Sequence, residues 1–255
     1  MSSLHVLGEA GRDSRGVSLA LSGSGVHVAF HDGAIGEHGV LLASLDGEAL
    51  SLRRVSRSKV AASEPALLAH DGHLYLAFSA LSLPSAATAE ASAAVFIARD
   101  GEPARLLVHT QVADAAPTLA ADDHGLVLGY RDRKRKGARS ELSVVRLDAA
   151  LQRVGLPRTI GRANSEGAPR LYGCAQLTAA LLPREYGRER FVGVNQLDTQ
   201  LASVGAGHQF YTTGHDFVLA SGACLGDSLL MFAADRAGPS KPGVEAHALR
   251  FSCGR

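Results

Sequence analysis

Three carboxylates recur at one level of the chain. Asp114, Glu166 and Asp216 stand 52 and 50 residues apart, and the equivalent positions further back hold Ser14 and Ala62. Acidic groups that a fold gathers in one place can hold a cation or a basic ligand. They can also divide into an acid and a base, if burial and mutual repulsion drive their pKa values apart. Acids in loops also cap turns and face water, which is their common structural use.

Around this level stand Arg12, Asp13, Asp32, Arg131, Asp132, Arg184, His215 and Asp235. A mixed set of Arg, His and Asp on a concave face suits a polar or anionic ligand. A solvated loop face has the same composition. Tyr186 is the one obvious aromatic there, which leaves little surface for a sugar ring to stack on.

A second level holds Ser22, His70, Asp122, Cys174 and Cys224. Two thiolates, an imidazole and a carboxylate converging in a narrow channel could bind Zn²⁺ or another divalent cation. The two Cys could instead form a disulfide, or be inert and buried. There is no C-x-x-C spacing to favour metal. Cys253 reads as structural, and no other cofactor is indicated.

These levels exist because the chain repeats. Val17–Asp32, VSLALSGSGVHVAFHD, reads as two short strands about a Gly-rich turn. It returns at Pro65, Pro117, Pro169 and Leu219, with steps of 48, 52, 52 and 50 residues. The residue aligned with Phe30 is Phe78, Tyr130, Leu182 and Phe232 in turn. One period with one apolar anchor per unit marks a repeat architecture. The units run approximately 17–64, 65–116, 117–168, 169–218, and 219–255 plus 1–16. Each holds four strands. In the first they lie near Val17–Leu21, Val26–Phe30, Gly39–Leu45 and Leu50–Val55. The last unit stops after its third strand, near Glu245–Ser252. Ser2–Leu7 matches the missing fourth and would close the ring, removing the exposed edges of an open stack. The expected fold is therefore all-β: a single domain over residues 1–255, a five-bladed β-propeller with four antiparallel strands per blade and the last blade closed by the N-terminal strand.

The pattern of a small residue or Pro, an alternating apolar strand, a Gly turn, and a second strand ending in an aromatic and Asp resembles sialidase-like and related propeller repeats. The resemblance is architectural. The Ser-x-Asp-x-Gly-x-Thr-Trp box has no counterpart in a chain without Trp. WD dipeptides and the Asp-x-Asp-x-Asp-Gly calcium loop are absent too. Three carboxylates on separate blades also resemble the arrangement of five-bladed glycosidases, though without their recognisable motifs.

Composition narrows the function. A net charge of +1 gives no drive toward nucleic acid, and Arg131–Arg139 reads as a solvated basic hairpin tip. No stretch approaches the roughly 18–20 apolar residues of a helical membrane span. The N-terminus lacks a signal-peptide pattern, so cytoplasmic is the default; a secreted or periplasmic location follows if a leader has been removed. The sequence predicts a monomer that acts as a non-enzymatic binding module. It would take a small polar or anionic ligand, a glycan or a protein through Arg12, Asp13, Asp32, Arg131, Asp132, Arg184, Tyr186, His215 and Asp216. The rival is a glycan-processing hydrolase or lyase using Asp114, Glu166 and Asp216.

Overall fold

A computed structural model describes residues 15–23, 25–33, 39–56, 62–82, 92–133, 138–163, 168–174, 177–186, 189–210, 215–225, 228–237 and 244–252. Among them there are nineteen strands and no helix. The sheets are the blades of a five-bladed β-propeller, and the chain divides into two compact units, 1–117 and 118–255.

The first unit holds two four-stranded antiparallel sheets. One is β1 (Arg15–Ser22), β2 (Gly25–Asp32), β3 (Gly39–Asp46) and β4 (Ala49–Arg54), paired in that order. The next is β5 (Ala62–His70), β6 (His73–Ser82), β7 (Ser92–Arg99) and β8 (Arg105–His109). The second unit begins with β9 (Thr118–Asp122), β10 (Gly125–Asp132), β11 (Glu141–Leu147) and β12 (Arg153–Arg162). Then come β13 (Arg170–Cys174), β14 (Leu177–Tyr186), β15 (Glu189–Leu197) and β16 (Ser203–Phe210). The last blade is β17 (His215–Leu225), β18 (Ser228–Ala237) and β19 (Val244–Ser252). A single parallel bridge, Arg190 to Asp216, joins it to β15. The expected closing strand, Ser2–Leu7, lies outside the described residues.

The core is built from inner strands such as β10, buried over six consecutive residues, while the outer strand β4 is exposed throughout. Inward side chains of neighbouring blades meet in one cluster holding Ala29, Val40, Leu42, Leu67, Leu76 and Phe78. Another holds Val127, Leu142, Val144, Leu171, Leu182 and Leu197. Phe78 stacks on Phe96, opposite it on β7, with ring centroids 5.5 Å apart. Four of the five repeat anchors are buried: Phe30, Phe78, Tyr130 and Leu182. Phe232 is 52% exposed.

Neighbouring blades are also tied by hydroxyls at equivalent places. Ser18 Oγ accepts a hydrogen bond from Leu67 N at 2.8 Å, and Thr118 Oγ1 accepts one from Leu171 N at 2.9 Å. Innermost strands do not pair edge to edge across these joints, so a side chain supplies the acceptor that the backbone donor needs.

The β11–β12 and β15–β16 connections share a turn that strand periodicity does not reveal. Asp148 Oδ1 accepts from Gln152 N, and Asp198 Oδ1 accepts from Gln200 N and Ala202 N. Leu151 (φ 57°) and Leu201 (φ 62°) adopt left-handed backbone and are buried. That conformation costs a non-glycine residue about 1–2 kcal/mol, while burying a leucine contributes about 1.5–3 kcal/mol. Burial therefore outweighs the backbone. Leu151→Ala should cost about 2–3 kcal/mol in urea unfolding. Leu151→Gly should be no worse than Leu151→Ala, since glycine recovers the backbone term; a clearly worse glycine variant would show that the φ is unstrained.

Candidate active site

The loop from β8 to β9 carries Asp114 and is pinned at both ends. Upstream, Thr110 N donates to Ala93 O at 2.8 Å. Its Oγ1 lies 3.1 Å from Ala93 O and 3.0 Å from Val112 O. Downstream, Glu64 Oε2 accepts from Ala116 N at 2.9 Å and from Ser79 Oγ at 3.1 Å. Ala115 and Ala116 are fully buried, Asp114 is half-buried, and its Oδ1 lies out of solvent. A carboxylate on a loop held this way has a fixed place, as acid/base work requires.

Glu64 is not among the residues that the sequence pattern singles out. It occupies the level of Gly16, and both have left-handed backbone, φ 55° and 61°. Both sit in a β-bulge, between Ser63 and Ala66 in β5 and between Arg15 and Ser18 in β1. The available signal is the alignment of Gly16-Val17 with Glu64-Pro65: a charged residue, restricted further by the proline after it, at a position that glycine fills without strain.

The other candidates fall at corresponding ends of their sheets. Asp32 ends β2 and is buried, 2% exposed. Arg131 and Asp132 end β10, with Arg131 buried and Asp132 half-buried. Arg184 and Tyr186 lie in the last three residues of β14, and His215 and Asp216 open β17. The structure thus brings Arg131 beside Asp132 and His215 beside Asp216 along their strands. It sets the backbone of Asp216 against Arg190. Arg12, Asp13 and Glu166 lie outside the described residues. Behind Asp132, burial first and the Asp132 charge second push the Tyr130 hydroxyl up to about 12, against the opposing pull of Arg153. Tyr130 is therefore a neutral core residue and not a proton-transfer group near neutral pH.

The second level resolves into structural contacts. Cys174 and Cys224 are joined as a disulfide between β13 and β17, with Cα atoms 5.2 Å apart. Beside it, Tyr172 Oη accepts from Gly222 N at 2.7 Å. Asp122 faces Arg146 through two contacts, 2.7 and 3.1 Å, and accepts from Thr178 Oγ1 at 2.8 Å and His124 N at 2.9 Å. His70 pairs with its neighbour Asp71 at 3.2 Å. Among the described residues no group of three or more His, Cys, Asp and Glu is arranged to hold a metal ion. The two sulfurs considered as metal ligands are committed to each other, and the Asp122 carboxylate is committed to Arg146.

Burial works to raise the Asp122 pKa, but Arg146, the His124 amide and Thr178 outweigh it and hold the carboxyl below its ordinary 3.8. A carboxyl whose folded pKa is depressed contributes stability fully above its unfolded pKa and loses it as pH falls through the folded value. Acid unfolding should therefore steepen below about pH 4, and Asp122→Asn should remove that part of the slope. An unchanged profile in Asp122→Asn would assign the acid sensitivity elsewhere.

The fold places this chain in a structural class that includes carbohydrate-active propellers. The α-L-arabinofuranosidase from Lactobacillus brevis matches over 95% of this chain and 92% of its own, with 8% identity and a TM-score of 0.59. The polysaccharide lyase Uly1 matches over 92% of this chain and 57% of its own, with 10% identity and a TM-score of 0.60. A GH43_1 enzyme from Xanthomonas citri matches over 94% and 89%, with 13% identity and a TM-score of 0.52. No protein-family profile and no curated protein matches the sequence. These likenesses correct the expectation of a non-enzymatic binding module. The three structures named are an arabinofuranosidase, a GH43_1 enzyme and a polysaccharide lyase.

Proposed function

We propose that the chain is a glycan-processing enzyme, a hydrolase or lyase, whose acid/base groups are Asp114, Glu166 and Asp216. The observation that supports this most is the pinned Asp114 loop on a scaffold shared with glycan-processing enzymes. In a hydrolase, one carboxyl protonates the glycosidic oxygen while a second carboxylate takes a proton from the attacking water or attacks the sugar itself. In a lyase, one group removes the proton beside a uronate carboxylate and another protonates the leaving oxygen. Arg131, Arg184 and His215 would then meet an acidic sugar. The sialidase-like resemblance is one of strand pattern and adds nothing to the substrate.

The disulfide supports a working place in an oxidising compartment, where such bonds persist, rather than in the cytoplasm. That location would suit polysaccharide outside the cell. A monomer remains the expected state, with no nucleic-acid or membrane partner.

The test is a panel of neutral and uronate-containing polysaccharides, scored both for new reducing ends and for ultraviolet absorbance of unsaturated products. New ends without absorbance identify a hydrolase; both together identify a lyase. Binding without turnover across the panel would refute the proposal.

A further inference from the structure

We propose that Glu64 is the positioning residue for Asp114, its carboxylate fixing the backbone of the loop that carries that group. The inference rests on the reading of Asp114 as an acid/base residue. At this level of the first blade the chain uses glycine, Gly16, for the same left-handed bulge. The second blade uses glutamate before proline, where the backbone is least at ease. The side chain must therefore do something that glycine cannot. It spans from β5 to Ala116 N and to the buried Ser79 hydroxyl on β6. Ala116 is itself left-handed, φ 38°, and lies two residues from Asp114, with fully buried Ala115 between them. Thr110, at the other end of the loop, lies four residues away. A backbone amide donating to a carboxylate makes a charge-assisted bond, stronger than one to a neutral acceptor. Glu64 is thus the nearer and stronger of the two anchors.

The experiment uses the full chain with Glu64→Gly, Glu64→Gln and Asp114→Asn, read by amide exchange at Ala116 and by kcat and KM on the most active polysaccharide of the panel. Glu64→Gly should fold, because glycine accepts this backbone at Gly16. Exchange at Ala116 should speed up by about tenfold or more. Turnover should fall by about 10–100-fold with KM within about twofold, as misplacement of a reacting group demands. Glu64→Gln, whose amide oxygen still accepts from Ala116 N, should restore most of both. Combining Glu64→Gly with Asp114→Asn should cost no more than Asp114→Asn alone, since both act through one group. Unchanged exchange at Ala116 overturns the clamp whatever the activity. Losses that multiply overturn the route through Asp114. Full turnover in Asp114→Asn overturns the acid/base reading instead, and leaves the clamp to be judged on exchange.

Discussion

Exchanging Asp114 for asparagine is expected to lower kcat by about 100-fold or more while leaving KM nearly unchanged, because a general acid or base acts in the transition state and not in ground-state binding. Asparagine is close to aspartate in shape, so the pinned loop should survive; Ala116 and Thr110 make their contacts without the Asp114 side chain. Glu166→Gln and Asp216→Asn, measured alongside, should each lower turnover as well. Three variants with wild-type kcat would end the case for carboxylate catalysis by these groups.

The second large effect concerns the disulfide. Reducing Cys174–Cys224, or replacing both cysteines by serine, is expected to destabilise the last blade by about 4 kcal/mol, the chain-entropy value for a closed loop of this length. Among the described residues, a few further contacts hold that blade to its unit. Its backbone bonding to β15 is the single Arg190–Asp216 bridge. Others include the Tyr172–Gly222 hydrogen bond, the packing of Leu229 and Met231 against Leu181, Val192 and Val194, and the Phe251 ring beside His208 of β16, with centroids 6.2 Å apart. A dithiol reductant should therefore split thermal unfolding into two steps, the first confined to β17–β19, and activity should vanish with the first, because Asp216 opens β17. Calorimetry with and without reductant checks this. A single transition at an unchanged temperature would show that the packing suffices without the bond.

Much of the fold is legible in the sequence because strand period and turn chemistry are local. The expected strands Gly39–Leu45 and Arg105–His109 appear as Gly39–Asp46 and Arg105–His109, each marked by a short apolar run near an Asp-Gly turn. What escapes is non-local. Asp122 finds Arg146 across the width of a blade, on a strand two away from its own. Nothing in the spacing of the two residues announces that they will meet. The pairing of Cys174 with Cys224 is one of three open choices in the sequence, because equal position in neighbouring units gives proximity without chemistry. Glu64 is hidden because its level looks like a turn glycine. The expectation of a binding module fails for a related reason. Missing motifs weigh against an enzyme, yet single carboxylates on separate blades make no local motif at all.

The hydroxyl joints have a consequence for how the protein comes apart. Ser18 to Leu67 and Thr118 to Leu171 each couple one repeat to the next and to no other. A chain built from such nearest-neighbour couplings behaves as a row of linked cooperative units, with damage to one joint lowering the protection of the two blades that flank it. Thr118→Val, which removes the acceptor and keeps the shape, should open amides in β9 and β13 while β5 and β6 hold, so the molecule would record the address of an injury and not merely its size.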